Sequence, residues 1–160
     1  MSWVIKLERS FTRLLEGIVV LCFLGIFTLI ITLVVLRYGF NTTIIGANEL
    51  VVILFIYSSA LGAAIIVGQK EHIAITYFID KLRPSLRKVV DILDLLLIAL
   101  INGVMIVYSI GWIGKTGGYL TAALRIPQVY AQIIIPIGCG AAILYCLLHI
   151  MTILRPQMTD

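Results

Sequence analysis

Long apolar runs separated by short polar stretches dominate this 160-residue chain. A bilayer core about 30 Å thick requires roughly 20 mostly apolar residues per helix, and four runs meet this requirement. The period-two alternation typical of a membrane strand is absent, and a backbone in lipid must satisfy its own hydrogen bonds. The pattern predicts an all-α membrane protein, a single domain over 1–160 with four transmembrane helices at about 14–36, 49–68, 89–113 and 128–152.

A fifth segment of different character connects the second and third runs. Residues 72–82 place apolar side chains at positions i, i+3, i+4 and i+7, namely Ile75, Phe78, Ile79 and Leu82. This spacing predicts a short amphipathic helix that lies in the membrane interface. Because proline suits the first turn of a helix, we expect the third helix to begin near Pro84.

The composition excludes an ordinary soluble domain. The chain is 61% hydrophobic and 12% charged, whereas soluble domains are about 45–50% apolar and about 25% charged. The three cysteines fall inside the apolar runs and form no CxxC pair, so disulfide-exchange chemistry, which needs paired and reachable thiols, is excluded as well.

The basic residues predict how the chain is oriented. Four spans put both termini on one side of the membrane, together with the central loop, and nine of the twelve Lys and Arg residues lie on that side. The other side carries Arg37, Lys115 and Arg125. Since cytoplasmic loops carry an excess of Lys and Arg, we predict an N-in/C-in topology. The net charge of +4 is therefore a topology signal, and no nucleic acid partner is expected.

Carboxylates occur near the ends of the predicted helices rather than at mid-span, where a coupled ion site would be expected. Glu49 opens the second helix, where the helix dipole favours a negative charge; its partner is either Arg37 or a group on another subunit. Asp91 and Asp94 share one face of the third helix. They are candidates for a cation or proton site, or for pairing with nearby basic residues or with a partner chain.

Other polar and small residues allow two interpretations each. His72 has no second histidine or cysteine near it in sequence, which favours a hydrogen-bonding role over zinc or haem ligation. Asn102 near mid-span is either an interhelical hydrogen-bonding group or part of a ligand site. Small residues such as Gly62, Ala63 and Ala64 allow helices to approach closely, within the chain or against another. No catalytic set, phosphate loop or metal motif is present in the sequence.

The segment "NELVVILFIYSSALGAAIIVGQKEHIAITYFIDKLRP" resembles the small membrane subunit, the DctQ-like or Q subunit, of tripartite ATP-independent periplasmic (TRAP) transporters. The chain length and the four spans extend the resemblance over nearly the whole sequence. The matching features are Glu49 at the start of the second helix, the trio Gly62-Ala63-Ala64, His72-Ile73 after that helix, and then Leu82 and Pro84.

The resemblance implies a non-catalytic scaffold subunit in the bacterial inner membrane. Such transporters are sodium-driven secondary transporters that import an organic acid, such as sialic acid or a dicarboxylate. A periplasmic substrate-binding protein delivers the substrate to a large elevator-type membrane subunit, which also binds the sodium. No cofactor is expected on this chain, although phospholipid is expected to fill gaps between subunits. Candidate interface or structural positions are Arg37, Glu49, Gly62, Ala63, Ala64, His72, Pro84, Asp91, Asp94 and Asn102.

A small self-assembling multidrug-type transporter is the alternative. That mechanism needs a membrane-embedded carboxylate in the first helix, and Glu16 is the candidate, although it lies near the basic start of the chain. A membrane enzyme is the third class considered.

Overall fold

The computed structural model describes residues 2–69 and 84–154, and this part of the chain is helical with no strand. Its helices are α1 (Ser2–Gly39), α2 (Ala47–Gln69), α3 (Pro84–Thr116), α4 (Val129–Gln132) and α5 (Ile134–Leu154). Four spans are long and apolar enough to cross a membrane, with α4 and α5 forming one of them. The predicted all-α membrane fold with four spanning helices is confirmed. The predicted interfacial helix at 72–82, with His72, lies outside the described residues.

The turn between α1 and α2 depends on two residues with positive φ. Asn41 has a φ of 53°, in a region that asparagine tolerates, and the Thr42 N–H bonds back to the Leu36 carbonyl at 3.1 Å. Gly46 has a φ of 88°, and a Cβ there would lie 2.6 Å from the Leu124 side chain. Glycine tolerates the positive φ and has no Cβ to clash with Leu124. The start of α2 can therefore lie against the connection that follows α3.

The connection between α3 and α4, residues 117–128, folds back on itself. The Thr121 N–H bonds to the Ile126 carbonyl at 2.9 Å, and the Gln128 N–H bonds to the Tyr119 carbonyl at 2.9 Å. These bonds satisfy backbone groups that would otherwise lie unpaired near lipid.

The fourth span consists of α4 and α5 and is interrupted near its start. Ile133 separates α4 from α5 but keeps helical dihedral angles of φ −61° and ψ −23°. Pro136 has no N–H and cannot bond to the Gln132 carbonyl four residues earlier. The missing bond contributes to the interruption, and Ile133 keeps the backbone conformation of a helix.

The helices form a layered bundle with α2 and α5 at its centre. α1 packs on α2, and α3 packs on α5. The central helices approach closely at Gly138, where a Cβ would lie 2.9 Å from the Ala60 carbonyl oxygen. We call the end that carries the start of α1 and the end of α5 the termini end, and the end that carries the two connections the loop end. The buried core consists of Leu15, Leu61, Ala64, Ile65, Val67, Leu95, Ile134, Ala141, Ala142, Tyr145 and Cys146.

Large apolar side chains cover the outer faces of α1 and α3. Phe23 and Phe27 on α1 are 64% and 62% exposed, and Leu97 on α3 is 51% exposed. In water such a surface would be an aggregation hazard, but lipid tails are as apolar as these side chains. Hydroxyls on the same faces bond to carbonyls of their own helix, as Thr28 does to Leu24 at 2.8 Å, so the surface suits a membrane.

Candidate functional site

At the termini end, α1 is hydrogen-bonded to both central helices. The hydroxyls of Thr12 and Tyr145 share a hydrogen bond of 2.8 Å, and Tyr145 is fully buried. The Gln69 side chain donates to Glu16 at 2.8 Å. Gly68 makes room for the Tyr145 ring, because a Cβ at Gly68 would lie 2.6 Å from a ring carbon. This end of the bundle is therefore a packed anchor for α1.

At the loop end, Glu49 holds the connection between α3 and α4. One carboxylate oxygen accepts the Ala123 N–H at 2.7 Å, and the other accepts the Leu124 N–H at 2.9 Å. The Thr121 side chain also interacts with this carboxylate, and no ion pair joins Glu49 to Arg37 within the described residues. The first turn of α2 is thereby tied to a segment more than 70 residues later, at a separation of 74 and 75 residues.

A second polar group at the loop end centres on Gln132, which is only 5% exposed. Its amide nitrogen donates to the Thr116 hydroxyl at 3.2 Å and to the Gln128 side-chain oxygen at 3.3 Å. The Tyr57 hydroxyl donates to the Tyr130 carbonyl at 2.6 Å, which links α2 to α4. Sequence reasoning missed Gln132; two glutamines four residues apart at the start of an apolar run were the available signal.

A cavity of about 440 Å³, the loop-end cavity, lies beside Glu49. Its lining includes polar groups from α2, the connection and α4, with apolar residues below them. The residues are Asn48, Glu49, Val52, Ile53, Ile56, Trp112, Thr121, Ala122, Gln128, Ala131 and Gln132. The cavity thus combines one carboxylate, several amides and an apolar wall.

A second cavity of about 440 Å³, the mid-bundle groove, lies between α2, α3 and α5. It brings together three predicted site residues, Ala63 and Ala64 from the trio and Asn102 from α3. The Asn102 side chain donates to the Ile98 carbonyl of its own helix at 2.9 Å. Its amide nitrogen therefore bonds within α3, and among the described residues it makes no bond to another helix.

The other predicted site residues that the structure describes lie apart from these cavities. Gly62 faces open space, since a Cβ there would meet nothing within 4 Å. Asp91 is half-buried and Asp94 is exposed, and neither forms a hydrogen bond or ion pair with a described side chain. Arg37 is exposed in the last turn of α1, and Pro84 is the first residue of α3.

The arrangement offers packing and docking surfaces rather than a reaction centre. Among the described residues, no group of three or more His, Cys, Asp or Glu side chains could hold a metal ion. Polar contacts between helices concentrate at the two ends, and the middle of the bundle packs through small and aliphatic side chains. The carboxylate of Glu49 is engaged by backbone donors.

Comparison with known proteins agrees with this arrangement. Residues 26–155 match the family model described as "Tripartite ATP-independent periplasmic transporters, DctQ component". The chain is 41% identical over 51 residues to a Haemophilus influenzae protein named "Putative TRAP transporter small permease protein". That alignment covers 32% of this chain and 32% of the relative, about a third of its length. Because the family match covers most of the chain, the protein belongs to the DctQ component family of tripartite ATP-independent periplasmic transporters.

Proposed function

We propose that the chain is the non-catalytic scaffold subunit of a sodium-driven, binding-protein-dependent transporter that imports an organic acid. Family membership makes it an inner-membrane transporter component and not an enzyme. The observation that carries the scaffold role is the match to the DctQ component over residues 26–155. In this proposal the chain anchors a large elevator-type membrane subunit and adjoins a periplasmic substrate-binding protein.

The distribution of buried residues supports a subunit that flanks a larger one. In the most apolar stretches of α1 and α3, 6% of the residues are buried, against 39% in the span formed by α4 and α5. Two of the four spans thus keep much of their surface for lipid or for a partner. A large subunit packed on one of these faces would bury it without disturbing the α2–α5 core.

The placement of polar groups supports a static role. Glu49 and the Thr12–Tyr145 pair fasten opposite ends of the bundle, and the mid-bundle groove is lined by Ala, Gly, Val, Ile and Cys residues with Asn102. We place sodium and substrate binding on the large subunit, because the side chains or carbonyl groups that bind an ion are expected near the middle of the membrane. The transported organic acid belongs to one chemical class, carboxylates such as sialic acid or a dicarboxylate.

Co-purification tests the proposal. The chain is co-expressed with a tagged large TRAP subunit, and with an unrelated tagged membrane protein as control. We expect it to remain with the large subunit through size-exclusion chromatography. Uptake of a carboxylate substrate in liposomes should require both membrane subunits, the binding protein and a sodium gradient. A chain that migrates alone as a homodimer under these conditions contradicts the proposal.

A pair of glycine variants tests whether the Gly62-Ala63-Ala64 trio contributes to this assembly. A Cβ at Gly62 or at Gly140 meets none of the described residues within 4 Å, so Gly62→Leu and Gly140→Leu add matched bulk on surfaces of α2 and α5. We expect Gly62→Leu to reduce co-purification more than Gly140→Leu, with the melting temperature of the isolated chain unchanged in both. Equal retention of both variants would remove Gly62 from the interface.

The same liposomes test the multidrug-type alternative. Glu16, its candidate carboxylate, accepts a hydrogen bond from Gln69 at the termini end, which is a structural role at the end of the bundle. We expect the isolated chain to move no substrate. Transport by the chain alone that Glu16→Gln abolishes would favour the alternative and refute the scaffold role.

A further inference from the structure

The loop-end cavity has the polarity of an amphiphile. Its polar lining comes from Asn48, Glu49 and Gln128, and its apolar wall includes Val52 and Trp112. Small-molecule sites are typically apolar with a few placed polar groups. Here the polar groups lie beside the first turn of α2, at one end of a membrane-spanning helix.

Glu49 brings an anionic group to this cavity. The carboxylate accepts the N–H groups of Ala123 and Leu124, and the Thr121 side chain and the Ala122 N–H also interact with it. These partners are neutral, and no ion pair neutralises the carboxylate within the described residues. A cationic group with N–H donors would complement this charge.

The amide groups beside Glu49 suit an anion. Gln128 uses its side-chain oxygen to accept from Gln132 at 3.3 Å, which leaves its amide nitrogen available as a donor at the cavity wall. Asn48 supplies a second exposed amide. The lining therefore complements a zwitterion in which an ammonium meets the carboxylate and a phosphate meets the amide donors.

The two cavities follow one another along a single face of α2. Glu49, Val52, Ile53 and Ile56 line the first, and Ala60, Ala63, Ala64 and Val67 line the second. These positions recur at intervals of three and four residues, which lie on one side of a helix. At 1.5 Å per residue the face extends about 27 Å, so an apolar path leads from the carboxylate toward the middle of the bundle.

We propose that the loop-end cavity binds a phospholipid whose headgroup carries a primary ammonium, with an acyl chain along this face of α2. The ammonium donates to Glu49, the phosphate accepts from the amides of Asn48 and Gln128, and the chain packs on Ile53, Ile56 and Ala63. The lipid comes from the leaflet that surrounds the loop end. A basic side chain from a partner subunit would satisfy Glu49 but would leave the apolar path unfilled, which is why the lipid is the better match.

Native mass spectrometry of the full-length chain tests this assignment. The purified chain is exchanged into vesicles or nanodiscs that contain equal amounts of phosphatidylethanolamine, phosphatidylcholine and phosphatidylglycerol. We expect phosphatidylethanolamine to be retained about two- to fivefold over the other two, the range for a partly exposed ion pair. Phosphatidylcholine has the same net charge but no ammonium N–H, and phosphatidylglycerol lacks the cation.

Three variants locate the bound lipid. Glu49→Gln should abolish the headgroup preference. Ala63→Phe should reduce total lipid retention by blocking the path of the acyl chain. This variant keeps the Glu49 contacts, so it still tests the assignment if Glu49→Gln does not fold. Ser59→Phe is the matched control, because Ser59 is exposed on α2 and lines neither cavity.

Specific results would overturn the assignment. Equal retention of the three lipids, or an unchanged preference in Glu49→Gln, would show that the headgroup is not read at this carboxylate. Equal effects of Ala63→Phe and Ser59→Phe would show that the acyl chain does not lie along this face of α2. Loss of the lipid when the chain assembles with its partner subunit would assign the cavity to a side chain of that subunit.

Discussion

Glu49 shows how a single side chain can organise one end of a membrane bundle. Its two oxygens hold the amides of Ala123 and Leu124, at 2.7 Å and 2.9 Å, across 74 and 75 residues of sequence. A loop near lipid needs such partners, since unpaired backbone groups there are costly. The carboxylate therefore serves the connection as much as it serves the start of its own helix.

Replacing Glu49 by Gln should loosen the connection between α3 and α4. Glutamine retains one acceptor oxygen and no charge, so one of the two amides loses its partner. We expect hydrogen–deuterium exchange at Ala123 and Leu124 to accelerate roughly tenfold, as for the loss of a hydrogen bond to a charged group. Glu16→Gln, at the opposite end of the bundle, should leave exchange there unchanged. Unchanged exchange in Glu49→Gln would contradict the clamp.

Gly68 and Gly62 occupy the same helix in opposite environments, which gives a second residue-scale prediction. A Cβ at Gly68 would lie 2.6 Å from the Tyr145 ring, whereas a Cβ at Gly62 meets nothing within 4 Å. Gly68→Ala should cost about 1–3 kcal/mol from overpacking, partly offset by the higher helix propensity of alanine. Gly62→Ala should be neutral or stabilising by up to about 1 kcal/mol. Melting temperatures in detergent measure both, and equal values would contradict the close packing.

At the scale of elements, α1 is an outer helix whose position depends on α2 along its length and on α5 at the termini end. The hydrogen bond between Thr12 and Tyr145 joins helices at the two ends of the chain, 133 residues apart. The Phe11 ring lies 5.6 Å from the Tyr145 ring, in a tilted arrangement. These contacts set the angle at which α1 meets the core.

A double-mutant cycle measures how strongly that hydrogen bond couples α1 to α5. Tyr145→Phe and Thr12→Val each remove one hydroxyl, and their effects on the free energy of unfolding should be non-additive by about 0.5–1.5 kcal/mol. Tyr57→Phe, which removes the bond to the Tyr130 carbonyl, should be additive with Thr12→Val. Additivity in the first pair would show that the bond contributes nothing to the position of α1.

At the scale of the molecule, length and charge decide how the bundle sits in the bilayer. α1 has 38 residues, or about 57 Å at 1.5 Å per residue. This exceeds a hydrocarbon core of about 30 Å, so the helix must tilt or extend beyond the membrane. The Thr12–Tyr145 contact holds the start of α1 beside the second half of α5, while the exposed Arg37, Lys115 and Arg125 lie toward the loop end.

Single-cysteine labelling tests the N-in/C-in topology that the basic residues predict. The three native cysteines are first replaced, and a cysteine is introduced at exposed Gly118 or at exposed Arg9. A membrane-impermeant maleimide should label the Gly118→Cys variant in cells whose outer membrane is permeabilised. It should label Arg9→Cys only after the inner membrane is opened. The reverse pattern would contradict the predicted orientation.

Much of the fold can be predicted from the sequence, because the thickness of the bilayer sets how many apolar residues a spanning helix needs. Four apolar runs predict four helices, and the structure confirms the class. The family resemblance, which rests on features such as Glu49 and the Gly62-Ala63-Ala64 trio, is confirmed by the match over residues 26–155. The contacts of those residues are harder to predict: Arg37 and a group on another subunit are the alternatives for Glu49, and within this chain it is held by backbone amides of the connection instead.

The sequence by itself determined the number of membrane spans and the polar residues near their ends. The tertiary structure alone decided that α2 and α5 form the core, that Gln132 is buried, and that the lining of two cavities shares one face of α2. The physical reason is that these helices are apolar on every side, and lipid is as apolar as leucine. Hydrophobicity therefore does not select which faces meet, and close fits such as Gly138 against Ala60 and Gly68 against Tyr145 do.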